Sequence, residues 1–131
     1  MRLLLDTHVL LWILADSDRL GTDAHTLIDN PSNQGFASTI SIWEVAVKWS
    51  LKRGFPTDMP LSARDFTGAL MEAGIPVLNS SPAHAMALED LPLLHGDPFD
   101  RLLLATALAE GMTLVTRDGA LGDYGVGVKL I

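Results

Sequence analysis

Four acidic residues fall at positions where the strands and helices of an α/β protein would meet. Asp6 follows the apolar run MRLLL, and Asp118 follows the apolar run MTLVT. Glu44 lies in the first turn of the helical segment SIWEVAVKWSLKRG, and Asp100 lies in the first turn of DPFDRLLLATALAEG. In an open parallel sheet, the carboxyl ends of the strands and the starts of the following helices share one edge, where ligands bind. We therefore expect the four carboxylates to converge.

Carboxylates gathered in this way need a compensating charge. They repel each other and raise their own pKa values, so replacing Asp6, Asp100 or Asp118 by Asn should raise the melting temperature of the metal-free protein. Asp6 also joins a buried strand to the apolar segment VLLWIL without a Lys or Arg beside it, and burying a lone carboxylate is costly. A Mg²⁺ ion removes these penalties because it takes oxygen ligands. Such an ion can activate water and stabilise a phosphoryl oxygen.

Each acid also has an ordinary structural interpretation. Asp97 is a plausible N-cap of its helix, and Asp100 at the third helical position can complement the helix dipole. Glu44 can pair with Lys48 one helical turn later. Asp118 precedes a glycine and could simply be a turn residue.

The chain as a whole predicts one domain spanning residues 1–131, with ample apolar material for a core. A net charge of -7 argues against a nucleic-acid partner, unless several of the acids are gathered in one site. The chain has no cysteine, so any metal ligands must be oxygen or imidazole. Asp6 and His8 interrupt the first apolar run, which therefore predicts a strand and a helix rather than a signal peptide. We expect a cytoplasmic protein without a membrane segment.

Short apolar runs alternate with helical patterns along the chain, which predicts an α/β fold around a parallel sheet. The predicted strands are residues 1–5, 35–39, 75–79, 112–116 and 127–131. Between the strands lie six helical segments, the first of which starts near Thr7. The other five have polar residues in the N-cap position, which are Thr22, Ser41, Ser62, Ser81 and Asp97. Gly54, Gly74 and Gly111 are predicted to end three of the helices.

Four segments together resemble a known family. LLLDTHVLLW, SISIWEVAVK, DPFDRLLLATALAEG and LVTRD, in that order, are similar to the motifs of PIN-domain nucleases, and more closely to those of the VapC-like toxins of bacterial type II toxin–antitoxin pairs. The resemblance covers essentially the whole chain. It implies a three-layer α/β/α sandwich with a central parallel sheet, and a Mg²⁺- or Mn²⁺-dependent endoribonuclease. It also implies an RNA substrate, a cognate antitoxin and a homodimer.

The same resemblance assigns the catalytic, metal-binding acids. They are Asp6, Glu44, Asp100 and Asp118. Asp97 competes for the third position, but the distance from Asp100 to the segment ATA matches the family's Asp-to-Ala pattern. Asp97 then keeps its capping role.

Several other polar residues lie near these acids in the predicted fold. Thr116 and Ser38 are expected at strand ends, where they either hold a metal-bound water or a neighbouring carboxylate, or only satisfy their own hydroxyl groups. His8 is close enough to Asp6 to touch a substrate, unless it turns away. Three further histidines have no partner at metal-ligand spacing and are expected on the surface or in the core, namely His25, His84 and His95.

The residues that could contact RNA are few. Lys48, Lys52 and Arg53 form a short basic patch, and Arg101 and Arg117 each adjoin a proposed catalytic acid. They are either the phosphate contacts of a nuclease or ordinary solvated charges. No aromatic-rich RNA-recognition motif is present.

Three other functions are compatible with parts of the pattern. A PIN fold can serve as a binding module without turnover, and a metal titration would distinguish it from an enzyme. An RNA-processing nuclease without an antitoxin would have the same acids, and a small upstream reading frame would argue against it. A receiver-like signalling domain would need an acidic pair after the first strand and a lysine after a late one, whereas this chain has DTH and TRD there.

Overall fold

The computed structural model describes residues 1–131 and contains one five-stranded parallel sheet. The strands are Arg2–Leu5 (β1), Gln34–Ser38 (β2), Val77–Leu78 (β3), Thr113–Thr116 (β4) and Val128–Leu130 (β5), in the order β3-β2-β1-β4-β5. The helices are Thr7–Leu14 (α1), Thr22–Asp29 (α2), Thr39–Ser50 (α3), Ala63–Glu72 (α4), Pro82–Ala87 (α5) and Pro98–Glu110 (α6). Short 3-10 helices lie at Asp18–Leu20, Leu88–Asp90 and Gly119–Tyr124.

Helices cover both faces of the sheet. Leu3 and Leu5 of β1 pack into one apolar cluster with Val9 of α1, while Leu4 packs into a second cluster with Leu104 of α6. A parallel strand that is buried on both faces needs such a continuous apolar run. The predicted three-layer α/β/α sandwich is confirmed. None of the helices is both long enough and apolar enough to cross a membrane.

The predicted helix caps are partly right. Ser62, Ser81 and Asp97 each accept a backbone N–H of the helix that follows. Thr22 does not cap α2, because the helix already begins at that residue and Gly21 stands in the cap position.

The predicted start of α3 is wrong by three residues. Ser38, not Ser41, is the cap, and its Oγ accepts the N–H of Ile40. Ser41 is buried inside the helix, where its Oγ lies 2.9 Å from the Oγ of Thr7. Glu44 consequently lies in the second turn of α3 instead of the first. The helix also ends at Ser50, before the predicted stop.

The sheet order creates a switch point between β1 and β4. From β1 the chain moves outward to β2 and β3, and then returns to the other side of β1 to form β4. Leu5 pairs with Val115 across the two strands, and the N–H of Asp6 donates to the carbonyl of Val115 at 3.0 Å. The residues that follow β1 and β4 therefore emerge side by side, in the crevice where open α/β sheets bind ligands.

Candidate active site

Asp6 lies at the junction of β1 and α1 and is almost completely buried, with 4% of its surface exposed. It caps α1, because its Oδ1 accepts the N–H of Val9 at 2.9 Å. Its Oδ2 accepts a hydrogen bond from the hydroxyl of Thr116 at the end of β4. Burial raises the pKa of Asp6, and these two hydrogen bonds oppose the rise. No Lys or Arg forms an ion pair with it. Thr116 thus holds a neighbouring carboxylate, one of the two roles that the sequence allowed.

Glu44 projects from α3 and is buried to the same degree, with 2% of its surface exposed. The hydroxyl of Thr7 donates to its Oε1 at 2.7 Å. Lys48 donates to its Oε2 at 2.5 Å, which is the pairing expected one helical turn apart. Burial disfavours the Lys48 cation, but its contact with Glu44 and the charges of nearby acids outweigh burial and raise its pKa. Glu44 therefore has its own counter-ion, which Asp6 lacks.

Asp97 and Asp100 have different roles at the start of α6. Oδ1 of Asp97 accepts the N–H groups of Phe99 at 2.8 Å and of Asp100 at 3.2 Å, so Asp97 is the N-cap as predicted. The Asp100 carboxylate is free of this task. Burial, together with the negative charges of Asp97, Asp6 and Glu44, raises the pKa of Asp100 to about 7. This coupling means that three of the predicted acids lie close together.

Asp118 lies two residues beyond β4 and caps the 3-10 helix Gly119–Tyr124, with its Oδ1 accepting the N–H of Ala120 at 3.0 Å. Its Oδ2 lies 2.8 Å from Nε2 of His95. Burial alone would raise the pKa of Asp118, but the hydrogen bonds from His95 and Ala120 outweigh burial and lower it. The expectation that every acid of the site would have a raised pKa is therefore wrong for Asp118.

His95 was expected on the surface or in the core, and that prediction is wrong. Its Nε2 lies between Asp118, at 2.8 Å, and Oδ2 of Asp100, at 3.2 Å. The hydrogen bond with Asp118 raises the pKa of His95. Its Nδ1 accepts the N–H of Asp97 at 3.3 Å, which favours the tautomer that carries its proton on Nε2. His95 thus acts as a donor that holds Asp118.

The sequence contained a local signal for this histidine. His95 stands two residues before the helix cap Asp97, where a ring nitrogen can reach the cap's own N–H. The contact with Asp118 could not be found in this way. It depends on the hydroxyl of Tyr124, which accepts the backbone N–H groups of Leu94 and His95 and fixes the path of their loop.

The remaining candidate residues have mainly structural contacts. Ser38 uses its hydroxyl to cap α3, so it satisfies its own hydrogen bonding. Arg101 donates to the carbonyl of Leu91 at 3.2 Å, while its Nε is buried without a partner. Arg117 donates to the carbonyl of Leu20 at 2.7 Å.

The other histidines differ in their surroundings. His8 is exposed, and its ring centre lies 6.2 Å from that of Trp12. His84 is buried, completes a capping box at the start of α5 and contacts Glu110 at 2.6 Å, as a core residue would. His25 is half exposed and lies 3.8 Å from Asp29, as a surface residue would.

The donor set fits a hard divalent cation. A ring nitrogen of His95 and one carboxylate oxygen from each of Asp100 and Asp118 lie within 4.8 Å of one another, so the two carboxylates that His95 contacts are close enough to share an ion. The charges of Asp6 and Glu44 reach the same carboxylate, since both raise the pKa of Asp100. Carboxylate oxygens are the ligands that Mg²⁺ prefers. We call the four carboxylates of Asp6, Glu44, Asp100 and Asp118 the acidic cluster.

The parallel sheet and the acidic cluster at its switch point agree with a comparison of the chain with known protein families. The model of the PIN domain matches residues 3–126. The chain belongs to the PIN domain family.

Among its relatives is Ribonuclease VapC22 of Mycobacterium tuberculosis (strain ATCC 25618 / H37Rv). The two are 32% identical over 122 residues, which cover 92% of this chain and 90% of that protein.

Solved structures share the fold over nearly the whole chain. VapBC2 from Rickettsia felis, bound to a DNA fragment from its promoter, matches with a TM-score of 0.69 and 17% identity over 99% of this chain and 98% of that one. A toxin–antitoxin complex from Klebsiella pneumoniae matches with a TM-score of 0.63 and 21% identity over 96% and 94% of the two chains. At these identities, the likeness establishes the fold.

Proposed function

We propose that this protein is a metal-dependent endoribonuclease and the toxin of a toxin–antitoxin pair. The observation that carries the proposal is the acidic cluster, in which two carboxylates are nearly fully buried and a third has a pKa of about 7. Such an arrangement is unfavourable for a domain that has no cation to bind. The relative VapC22 is named as a ribonuclease, which supports RNA as the substrate.

In this proposal the acidic cluster holds Mg²⁺ or Mn²⁺, with Asp6 and Asp100 as the principal ligands. When bound, the ion supplies an activated water and stabilises charge on the phosphoryl oxygen. Thr116 and the N–H of Val9 fix the two oxygens of Asp6. The remaining two acids are oriented by other side chains, with Thr7 and Lys48 holding Glu44 and His95 holding Asp118.

Cleavage of RNA is the direct test of this function. A single-stranded RNA carrying a fluorophore and a quencher should be cut by the purified protein in Mg²⁺ or Mn²⁺, and cutting should stop in EDTA. Product ends identified by mass spectrometry would distinguish hydrolysis within the strand from removal of terminal nucleotides. A protein that cuts no RNA in either metal would not be the proposed ribonuclease.

Metal binding should be measurable without turnover. We expect Mn²⁺ at about a hundred times its dissociation constant to stabilise the wild type by about 2.7 kcal/mol. Asp6→Ala and Asp100→Ala should each lose most of this gain, because each removes an oxygen ligand. Differential scanning calorimetry with and without Mn²⁺ measures it. An absent Mn²⁺ effect in the wild type would favour a PIN-fold binding module without turnover.

We further propose that the antitoxin acts at the acidic cluster. An Arg from the partner could pair with two carboxylates in bidentate fashion and occupy the metal position at the same time. The solved structures that share this fold include complexes of toxins with antitoxins, which supports such a partner. The rest of the contact should be a short helix laid in a groove between surface helices.

This account of inhibition makes a competitive prediction. Added Mn²⁺ should raise the apparent dissociation constant of the antitoxin, measured by calorimetry. Asp118→Asn should weaken the complex more than reversing the charge of Lys129, an exposed residue of the edge strand β5. An antitoxin whose affinity is indifferent both to Mn²⁺ and to every acid of the cluster would have to inhibit from another surface. A chain with no neighbouring antitoxin gene would instead be an RNA-processing nuclease.

The proposal also covers the oligomeric state and the cellular location of the protein. We propose a cytoplasmic homodimer. An exposed Trp43 lies edge-on to Phe99 at 5.3 Å and borders a groove with Ile40 and Leu102, which is an apolar surface suited to a second copy. Sedimentation analysis of the wild type and Trp43→Glu would test this contact.

A further inference from the structure

A second recess opens beside the acidic cluster. It has a volume of about 850 Å³ and lies between α1, the end of α3 and the loop of residues 51–60. Residues that line it include His8, Trp12, Arg19, Lys48, Asp58 and Met59. We call it the basic groove. Its volume is within the range of about 300–1,000 Å³ that is usual for ligand sites.

The residues that line this groove carry a small excess of positive charge, Arg19 and Lys48 against Asp58, although the whole chain is acidic. The protein has a net charge of -7 and only nine Lys and Arg residues. Two of the nine line the groove, and three more lie on segments that adjoin it. Arg19 and Lys48 line the groove, and the adjoining segments contain Lys52, Arg53 and Arg117. So many cations on one part of an acidic protein favour a polyanionic ligand.

The one acid in the lining is already engaged. Oδ2 of Asp58 accepts the backbone N–H groups of Arg53 at 2.9 Å, Gly54 at 2.7 Å and Phe55 at 2.9 Å. Its charge is directed into the turn of the loop 51–60. No other acid lines the groove, so Arg19 faces it without an ion-pair partner, whereas Lys48 is already paired with Glu44.

Flat rings accompany these cations. Trp12 is half-buried, with the guanidinium of Arg117 centred 5.2 Å from its ring, and the exposed His8 lies beside it. Near the end of α3, the ammonium of Lys52 lies 3.2 Å from the ring centre of Trp49. Unstacked bases of single-stranded nucleic acid bind to aromatic rings and guanidinium planes, while Lys and Arg bind the phosphates.

The basic groove is continuous with the acidic cluster. Lys48 lines the groove and also donates to Glu44 of the cluster at 2.5 Å. His8 also lines the groove and stands two residues after Asp6 of the cluster. A strand lying in the groove would therefore reach the acids with its next phosphates.

We propose that the basic groove binds the single-stranded RNA segment that flanks the cleaved phosphodiester. This assignment rests on the proposed ribonuclease function and specifies where the RNA substrate binds. Phosphates contact Arg19, Lys48 and Lys52, and one base lies against Trp12. A duplex is disfavoured, because its bases are stacked and paired and cannot reach the ring.

Binding without cleavage tests the proposal. A fluorescein-labelled single-stranded RNA is titrated into the Asp100→Asn protein in EDTA, and anisotropy gives the dissociation constant at several salt concentrations. We expect Arg19→Glu and Lys52→Glu each to weaken binding about tenfold and to reduce the salt slope by about one. The control is Arg64→Glu, an equal charge reversal on α4, which should change binding less than about twofold. A hairpin duplex of the same length should bind more weakly than the single strand.

Activity separates this site from the cluster. In the otherwise wild-type enzyme with Mn²⁺, Arg19→Glu should raise KM with little change in kcat, because the groove binds and does not react. If cleavage is intact while Arg19→Glu and Lys52→Glu match Arg64→Glu in both assays, the groove assignment is wrong and the ribonuclease function stands. If those variants lose a partner protein but keep RNA, the groove is a protein-docking surface and the assignment is again wrong. A wild type that neither binds nor cuts RNA overturns both proposals.

Discussion

Replacing Asp6 or Asp100 by Ala should abolish RNA cleavage while the protein stays folded. Each carboxylate is a principal ligand in the proposed site, and losing the ion removes several kcal/mol of transition-state stabilisation. About 4 kcal/mol corresponds to roughly a thousandfold loss in rate. The initial rate of RNA cleavage in Mn²⁺ measures the effect, and circular dichroism confirms the fold.

Asp65→Ala is the matched control for this loss. Asp65 also occupies the third position of a helix, α4, and its N–H is likewise bonded to the residue that caps the helix. It is exposed and is not part of the acidic cluster. We expect it to retain nearly full activity. Should Asp6→Ala and Asp100→Ala cut RNA as fast as Asp65→Ala, the acidic cluster is not the catalytic site.

Asp100→Asn and Asp118→Asn should change the stability of the metal-free protein in opposite directions. The charge of Asp100 is disfavoured by burial and by neighbouring acids, so removing it should stabilise the protein by about 2 kcal/mol, allowing for partial solvent screening. Asp118 is favoured in its charged form by His95, and losing that contact should cost about 1 kcal/mol. Melting temperatures in EDTA should move by about 4 °C for each kcal/mol.

The pH dependence follows from the sign of each shift. Asp100 has a folded pKa of about 7 against an ordinary value of 3.8, so the folded state binds the extra proton between these pH values. Its destabilising effect is absent below pH 3.8, grows as pH rises and is complete above pH 7. The gain of Asp100→Asn should therefore be larger at pH 8 than at pH 5. Asp118, whose folded pKa is lowered, contributes stability above its unfolded pKa and loses it as pH falls through the folded one.

Two results would count against this account. A gain from Asp118→Asn similar to that from Asp100→Asn would mean that repulsion among the acids outweighs the hydrogen bond from His95. A gain from Asp100→Asn that is equal at pH 5 and pH 8 would mean that its carboxyl group has an ordinary pKa. In Mg²⁺ the gain should shrink, because the ion relieves the same repulsion in the wild type.

The sequence predicts the sheet and the positions of Asp6 and Asp118 well, because strand ends are local features. An uninterrupted apolar run such as LLL, followed at once by Asp6, marks both a doubly buried strand and its end. Asp97 before a proline likewise marks a helix start. These signals depend only on neighbouring residues, so contacts with distant segments do not alter them.

The parts that the sequence could not predict depend on contacts between distant segments. The sequence predicts Ser41 as the cap of α3, but Ser38 is the cap and Ser41 is buried against Thr7 of α1. The position of His95 depends on Tyr124, which lies 29 residues away. The pKa of Asp118 then follows from His95 rather than from the other acids. The spacing of residues along the chain does not reveal such distant partners.

The pairing of β1 with β4 also bears on how the protein is synthesised. Thr116, the hydrogen-bond partner of Asp6, is synthesised 110 residues after it and lies on a strand that must add to the free edge of β1. A nascent chain still attached to the ribosome can build β1, β2 and their helices, yet it has neither Asp118 nor the strand that holds Asp6 in place. An enzyme that cuts RNA would therefore stay inert beside the RNA that encodes it until β4 and Asp118 have emerged.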